Sequence, residues 1–251
     1  MKSVIELIAH RGDYARFPEN TLPALQGAVA AGAAYIEFDV QFSQDGVPVL
    51  LHDATLERTA GVPKSVFDCP VADLVETSVS EAERFGERFA EVTVPTLREA
   101  VALLNQTLHV TAFVELKRHS MERFGVEPVI EKLLDTMSDA RFPWVMISFV
   151  AEAVERFQDV SDHDAGWVLR RYDDPAQATA RALSPAYLFI NGSVVPPGTD
   201  RLWSGPWRWV VYNIDDAANA LRCAEMGASL IETNCLREMM AHPALELQAS
   251  G

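Results

Sequence analysis

Short runs of apolar residues alternate along this chain with stretches in which apolar positions recur every three or four residues. The runs at Ile5–Ala9, Ala34–Gln41, His109–Leu116, Trp144–Phe149, Ala165–Arg170, Tyr187–Asn191, Trp209–Asn213 and Ser229–Thr233 predict strands. The stretches Asn20–Gly32, Thr96–Gln106, Glu127–Met137, Ala151–Gln158, Pro175–Leu183 and Ala217–Met226 predict helices. Gly32 supplies a stop for the first, and Thr96 with Glu99 three residues on supplies a capping box for the second. Eight strands, most followed by a helix, in 251 residues predict an α/β protein built as a single (β/α)8 TIM barrel spanning 1–251. An open doubly wound sheet is the alternative, but no glycine-rich phosphate fingerprint follows the first strand. Two segments depart from the repeat. Residues 53–94 are too long for a loop and too short for a domain, and read as a small capping insertion. Gly192–Arg208, with Pro196-Pro197 and Gly205-Pro206, leaves little room for a full sixth helix.

The second strand continues into the strongest local signal in the chain. Tyr35–Phe42 and Val47–His52 flank Asp45-Gly46, which reads as a two-residue hairpin loop. In that register residues whose numbers sum to 91 oppose each other, so Asp39 faces His52. Opposed residues, and residues two apart on one strand, share a face of the sheet. Glu37, Asp39 and His52 therefore converge, while Ile36, Phe38, Val40 and Phe42 form an apolar stripe on the other face.

Composition narrows the field. A hydrophobic fraction of 49% excludes a disordered chain, and no apolar run approaches a membrane-spanning length. The N-terminus enters a strand-like run at once, which argues against an export signal. Cys69, Cys223 and Cys235 are scattered and odd in number, as reduced thiols of a cytoplasmic protein would be. The net charge of −15 disfavours nucleic acid and anionic membranes as partners. A phosphate-bearing small molecule remains compatible, because a bound cation inverts the local field.

Candidate chemistry gathers at the strand ends. Along Thr111–Lys117, Val114 and Leu116 alternate with Glu115 and Lys117, which point inward at the C-terminal end; His10 and Arg11 close the first strand. Barrel active sites assemble from these ends. Alone, Glu115 and Lys117 read equally as a structural ion pair, and His10 or His52 as a hydrogen-bonded rim histidine. Glu37 and Asp39 are harder to place structurally, since two adjacent carboxylates with no basic neighbour repel one another and resist burial. Together with Glu115 they suit one hard divalent cation, Mg2+ or Ca2+; zinc ranks third, because it favours histidine and cysteine. Arg11 and Lys117 then offer donors to phosphate oxygens, and the two histidines an acid–base pair across a phosphorus atom. Phosphodiester cleavage fits this set best.

The motifs Ala9-His10-Arg11-Gly12, Pro18-Glu19-Asn20-Thr21, Glu37-Phe38-Asp39-Val40, Gln44-Asp45-Gly46, His52-Asp53, Leu56-Glu57-Arg58-Thr59 and Glu115-Leu116-Lys117 follow in order, with weaker echoes at Pro95-Thr96-Leu97, Ile147-Ser148-Phe149 and Val211-Tyr212-Asn213. In these the chain resembles the glycerophosphodiester phosphodiesterases over nearly its whole length. The resemblance implies a (β/α)8 barrel with a small insertion after the second strand and a divalent cation on Glu37, Asp39 and Glu115. It also implies His10 and His52 as general acid and base, and Arg11 and Lys117 on the phosphate. The implied reaction takes a glycerophosphodiester and water to glycerol 3-phosphate and an alcohol; one implied route passes through a cyclic phosphate made by a free glycerol hydroxyl. Glu19 corresponds to an acid near that site or, alternatively, is a residue of a helix N-terminus.

Departures from the family pattern fall at Asp13, where a second glycine is common, at Val211-Tyr212-Asn213-Ile214 and at Ile231-Glu232-Thr233-Asn234. They bear on the alcohol side of the substrate. Asn213 and Trp209 are further cleft candidates. Trp203, Trp207 and Trp209 either wall that cleft, where they would stack on a choline cation, or pack a loop onto the barrel. The leading expectation is a cytoplasmic enzyme on a small-molecule glycerophosphodiester, without stable membrane insertion, and with self-association into a homodimer left open. A lysophospholipase-D-like activity is the second reading and needs an apolar landing surface, for which Val66, Phe67, Phe85 and Phe89 are scattered candidates. A non-catalytic phosphate-binding barrel is the third.

Overall fold

The computed structural model describes residues 5–245 and shows a closed barrel; the leader-free reading of Met1–Val4 lies outside the described residues. The strands are β1 (Glu6–Ala9), β2 (Tyr35–Phe42), β3 (Pro48–Leu50), β4 (Thr111–Leu116), β5 (Trp144–Ser148), β6 (Ala165–Leu169), β7 (Tyr187–Asn191), β8 (Arg208–Tyr212) and β9 (Leu230–Thr233). Their order is β1-β9-β8-β7-β6-β5-β4-β2, and β1 pairs with β2 to close the ring; every pairing in it is parallel. β3 lies outside the ring as an antiparallel arm on β2. The architecture is a (β/α)8 barrel.

Alternation along each strand sorts side chains into two cores. Ile36, Phe38, Val40 and Phe42 pack outward with Leu25, Leu97, Leu133 and Phe157 of the surrounding helices. Inward, Ile8, Phe113, Val145, Ile147, Val168, Phe189, Val210 and Leu230 fill the barrel as an apolar plug. Above that plug the inward positions turn polar: Ile8 is followed two residues on by His10, Phe113 by Glu115, and Leu230 by Glu232. The barrel thus has a dry floor and a charged mouth.

The helix Leu22–Ala31 starts on Thr21, whose hydroxyl accepts the Ala24 N–H, and stops at Gly32 in the left-handed region. Leu97–Leu104 carries the capping box of Thr96 and Glu99. Between β7 and β8 the described residues form no helix, as the prolines and glycines of 192–208 imply. Two helices that the hydrophobic pattern does not announce are Arg118–Phe124 and Leu236–Met240. Both are under two turns, too short for a periodic signal.

The hairpin register differs from the sequence expectation by one residue. Val40 pairs with Leu50, Gln41 with Val49 and Phe42 with Pro48. The loop is therefore Gln44-Asp45-Gly46, three residues rather than two. The Ser43 N–H donates to the Val47 carbonyl at 3.0 Å, and the Gly46 N–H to the Ser43 carbonyl at 3.0 Å. Gly46 at φ 73° takes the left-handed position that such a loop requires, as a bulge glycine. Asp39 consequently faces Leu51, whose N–H reaches the Asp39 carbonyl at 3.1 Å. His52 does not oppose Asp39.

Residues 53–94 hold the short helices Glu57–Ala60, Val71–Leu74 and Ala82–Phe85 and a 3-10 turn at Val66–Asp68. Leu56, Val66, Leu74, Val79 and Val94 pack there with Val49 and Leu51 into a small core of their own.

Gly12 sits where a side chain is excluded twice over. Its φ is 84°, and a Cβ there would lie 2.6 Å from the backbone carbon of Ala24. Gly12→Ala should therefore cost about 2–4 kcal/mol, from overpacking plus left-handed strain, read as a lower denaturation midpoint in urea.

Candidate active site at the barrel mouth

Each side chain at the mouth is set by a strand end and a specific partner. His10 follows β1; its Nδ1 lies 2.7 Å from Asn234 Oδ1, and its Nε2 accepts the Arg11 Nε–H at 3.1 Å. These partners assign the proton to Nδ1 and the Nε2 lone pair to Arg11. Asn234 is itself fixed by Asp215, which accepts its backbone N–H at 2.7 Å and its side-chain amide at 3.0 Å. Arg11, at φ 54°, turns its backbone N–H onto Glu37 Oε2 at 3.0 Å and its guanidinium onto Glu19 at 2.9 Å and Asp39 at 3.3 Å.

His52 arrives by a different route from the one its position in the hairpin suggests. The chain leaves the ladder after Leu50 and bends, and the Gln41 side-chain amide holds the His52 carbonyl at 3.1 Å. The ring then donates from Nδ1 to Asp53 Oδ1 at 2.6 Å, and Asp53 accepts the Arg58 Nε–H at 2.7 Å. Both histidines are thus anchored through Nδ1.

Asp39 is the most heavily supported acid. Lys117 Nζ donates to its Oδ1 at 3.0 Å, and Asn20 grips it twice, through Nδ2 to Oδ2 at 2.8 Å and by accepting the Asp39 N–H at 2.9 Å. Lys117 also reaches Glu115 at 2.6 Å. Burial works to raise the Asp39 pKa, but the Lys117 and Arg11 charges hold it well below the usual carboxylate range. Burial raises Glu115, an effect Lys117 only partly offsets. Burial followed by the Asp39 charge pushes Glu37 far up. Burial, then the charges of Glu115 and Asp39, lifts Glu232 to about 8. Burial and the neighbouring Arg11 charge depress His10 to about 4.

Three findings here have no counterpart in the sequence reading. Glu232, on β9, is buried with a carboxylate oxygen 3.7 Å from His10 Nε2. The alternation Leu230-Glu232-Asn234 would have revealed it, by the same inward logic that singled out Glu115 and Lys117. Asn20 and the Asp215–Asn234 pair carry no such signal. Glu19 precedes the Thr21 cap rather than sitting in the helix; it is clasped by Arg58 at 2.7 and 2.8 Å, and its N–H donates to Glu81 at 2.9 Å. The segment 53–94 therefore reaches the site through Arg58 and Glu81. Asp13, at the position where the family favours glycine, accepts from Arg237 at 2.8 Å and ties the first loop to the helix Leu236–Met240.

His10, Arg11, His52, Glu115, Lys117, Asn213 and Glu232 line one cavity of about 80 Å3, with Tyr212 at its edge. Trp209 does not join them. It is buried in the outer core with Trp207, its Nε1–H donating to the Trp203 carbonyl at 2.9 Å, while Trp203 stacks on Tyr172 at 4.0 Å. These tryptophans pack a loop onto the outside of the barrel, because they sit at outward positions before and along β8. Val66 is buried in the small core, Phe67 packs on Phe124, and Phe85 packs on Phe89 at 5.2 Å.

Carboxylate oxygens of Glu37, Asp39 and Glu115 lie within 4.8 Å of one another, as do donor atoms of His10, Glu37 and Glu232. Glu37 Oε1 is fully buried with no hydrogen-bond partner. A buried carboxylate oxygen without a partner is costly, and a hard oxygen-seeking cation removes the cost. The residues fit a divalent ion.

The profile of the glycerophosphoryl diester phosphodiesterase family matches residues 10–234. Among curated relatives, glycerophosphodiester phosphodiesterase 1 of Bos taurus is 39% identical over 117 residues, covering 46% of this chain and 35% of the relative. The glycerophosphodiester phosphodiesterase of Caldanaerobacter subterraneus subsp. tengcongensis is 34% identical over 142 residues, 57% of this chain and 55% of the relative. The matched stretch thus spans about a third to a half of these relatives' lengths. Of solved structures, an Oleispira antarctica phosphodiesterase in complex with the product sn-glycerol-3-phosphate superposes with a TM-score of 0.82 at 23% identity, covering 97% of both chains. A glycerophosphodiester phosphodiesterase from Parabacteroides distasonis gives 0.79 at 20%, covering 100% of this chain and 99% of its own. At these identities the structural likeness establishes the fold.

Glu232 gives the metal-free protein a definite pH response. The folded state keeps the Glu232 proton up to about 8, whereas the unfolded chain releases it near 4.5, as an ordinary glutamic acid does. The folded state thus binds more protons, and stability falls as pH rises through that interval. His10 acts oppositely, but only between 6.5 and about 4. In EDTA the melting temperature should therefore drop from pH 6.5 to pH 8, and Glu232→Gln should make that drop measurably shallower.

Proposed function

The chain belongs to the glycerophosphoryl diester phosphodiesterase family, and from that premise we propose that it hydrolyses glycerophosphodiesters to glycerol 3-phosphate and an alcohol. One observation carries the reading. A buried acid triad with an unpartnered Glu37 oxygen stands beside two histidines, each anchored through Nδ1, and two cations, Arg11 and Lys117. Glu37, Asp39 and Glu115 would hold one Mg2+ or Ca2+. Such an ion supplies positive charge that polarises a phosphoryl oxygen and lowers the pKa of an attacking hydroxyl.

The chain's own residues do the rest. Arg11 and Lys117 orient the non-bridging phosphate oxygens and balance their charge. His10 is neutral at working pH, with its basic Nε2 shared with the Arg11 Nε–H, and it takes the proton of the attacking hydroxyl as Arg11 turns to the phosphate. His52 faces the more open side, with the Asp53 carboxylate placed to steady an imidazolium, and gives a proton to the departing alcohol oxygen. With the glycerol 2-hydroxyl as nucleophile the first product is a cyclic phosphate. Water then opens it with the two histidines exchanging roles, leaving glycerol 3-phosphate. Residues 53–94 act as an insertion within a single barrel domain, holding Glu19 through Arg58 so that Arg11 keeps its orientation.

No described helix is long and apolar enough to cross a membrane. The scattered free cysteines support a cytoplasmic setting.

Release of glycerol 3-phosphate from glycerophosphocholine, followed with a coupled dehydrogenase, tests the reading. Turnover should vanish in excess EDTA and return with Mg2+ or Ca2+. His10→Ala and His52→Ala should each lower kcat by about 10²–10⁴. Unchanged turnover in either variant removes the acid–base assignment. A strong preference for the acylated lysophospholipid over glycerophosphocholine would replace the substrate class with the lysophospholipase-D-like one.

A further inference from the structure

The mouth cavity, at about 80 Å3, is too small for a whole glycerophosphodiester. It shares Phe149 and Val168 with a neighbouring cavity of about 420 Å3 at the ends of β5 and β6. That second cavity is lined further by Trp167, Arg170, Arg171 and Asp173. Its hydrogen-bonding groups are unevenly spent. Both oxygens of Asp173 are engaged, one by the Ala176 N–H at 2.9 Å and the other by Arg171 at 3.5 Å. Arg171 is thereby spent. Arg170 is exposed and, among the described residues, pairs with no carboxylate; its guanidinium lies over the Phe149 ring at 5.0 Å. The Arg170 charge also reaches Tyr212, at the edge of the mouth cavity.

A space lined by the unpaired Arg170 guanidinium, with its carboxylate Asp173 already engaged, favours an anion. Its shared wall with the mouth makes the natural occupant the portion of the substrate beyond the phosphorus. We propose that this cavity receives the alcohol portion of the diester and that Arg170 selects alcohols carrying an anionic group over cationic ones. The proposal rests on the phosphodiesterase reading above and deepens it. It also runs against choline as the favoured headgroup: the aromatic ring that would stack on a quaternary ammonium is already covered by a guanidinium of the same sign.

Glycerophosphoserine and glycerophosphoethanolamine differ by one carboxylate and make the test. The wild-type protein should favour the serine diester in kcat/KM by roughly tenfold or more, the worth of one charge-assisted hydrogen bond. Arg170→Ala should bring that ratio to about one, and Arg170→Lys should restore part of it. Arg170 is exposed, so thermal melts of the variants should match the wild type. A wild-type ratio near one, or a preference that survives Arg170→Ala, overturns the proposal while leaving the phosphodiesterase reading standing. Absence of turnover on both diesters in the metal-supplemented wild-type protein overturns that reading and this proposal with it.

Discussion

Negative charge crowded into a space that water does not fill is the constraint on which this molecule is organised. Glu37, Asp39, Glu115 and Glu232 are all buried at the top of the apolar plug, and the cations nearest them are Arg11 and Lys117. Each uncompensated carboxylate held there costs several kcal/mol. The surroundings answer unequally. Lys117, Arg11 and Asn20 all hold Asp39 toward its ionised form, whereas burial pushes Glu37 and Glu232 toward their protonated forms. On the proposed reading that imbalance suits a divalent cation, and Glu37 Oε1, a buried acid oxygen, has no hydrogen-bond partner of its own.

The same constraint accounts for local backbone choices that would otherwise look wasteful. Arg11 and Asn20 are non-glycine residues in the left-handed region, at a cost on the order of 1 kcal/mol each. Each conformation delivers a donor to an acid: the Arg11 N–H to Glu37, and the Asn20 amide to Asp39. Gly12 and Thr21 then let the first helix close onto this loop. Strain in the first loop and charge at the mouth are one feature seen from two sides.

Most of the barrel was legible because its signals are local: strand alternation, the Thr96 capping box, the Gly32 stop. The site was legible where chemistry lies on alternating inward positions, as in Glu37/Asp39 and Glu115/Lys117. The hairpin shows where that logic stops. Asp45-Gly46 correctly announces a tight turn, yet the choice between a two-residue loop and a three-residue loop with a bulge is made partly by tertiary contacts. Asp45 accepts from Ser43 and from the Val71 N–H of the insertion. A register off by one would have turned His52 away from Asp39 had the strand continued; it instead breaks, and Gln41 and Asp53 set the ring. The tryptophans were ambiguous for a related reason, since strand sequence cannot say which face of a loop-adjacent residue meets the barrel wall.

Both histidines use Nδ1 for support, but their supports differ in charge. Neutral Asn234 backs His10, and anionic Asp53 backs His52. Burial and the neighbouring Arg11 charge oppose an imidazolium at His10, an effect the Asn234 hydrogen bond only partly offsets. On the proposed mechanism the more exposed rim histidine gives its proton to the alcohol, and the alcohol's variable part then lies beyond it, so that the mouth has a glycerol end and a headgroup end.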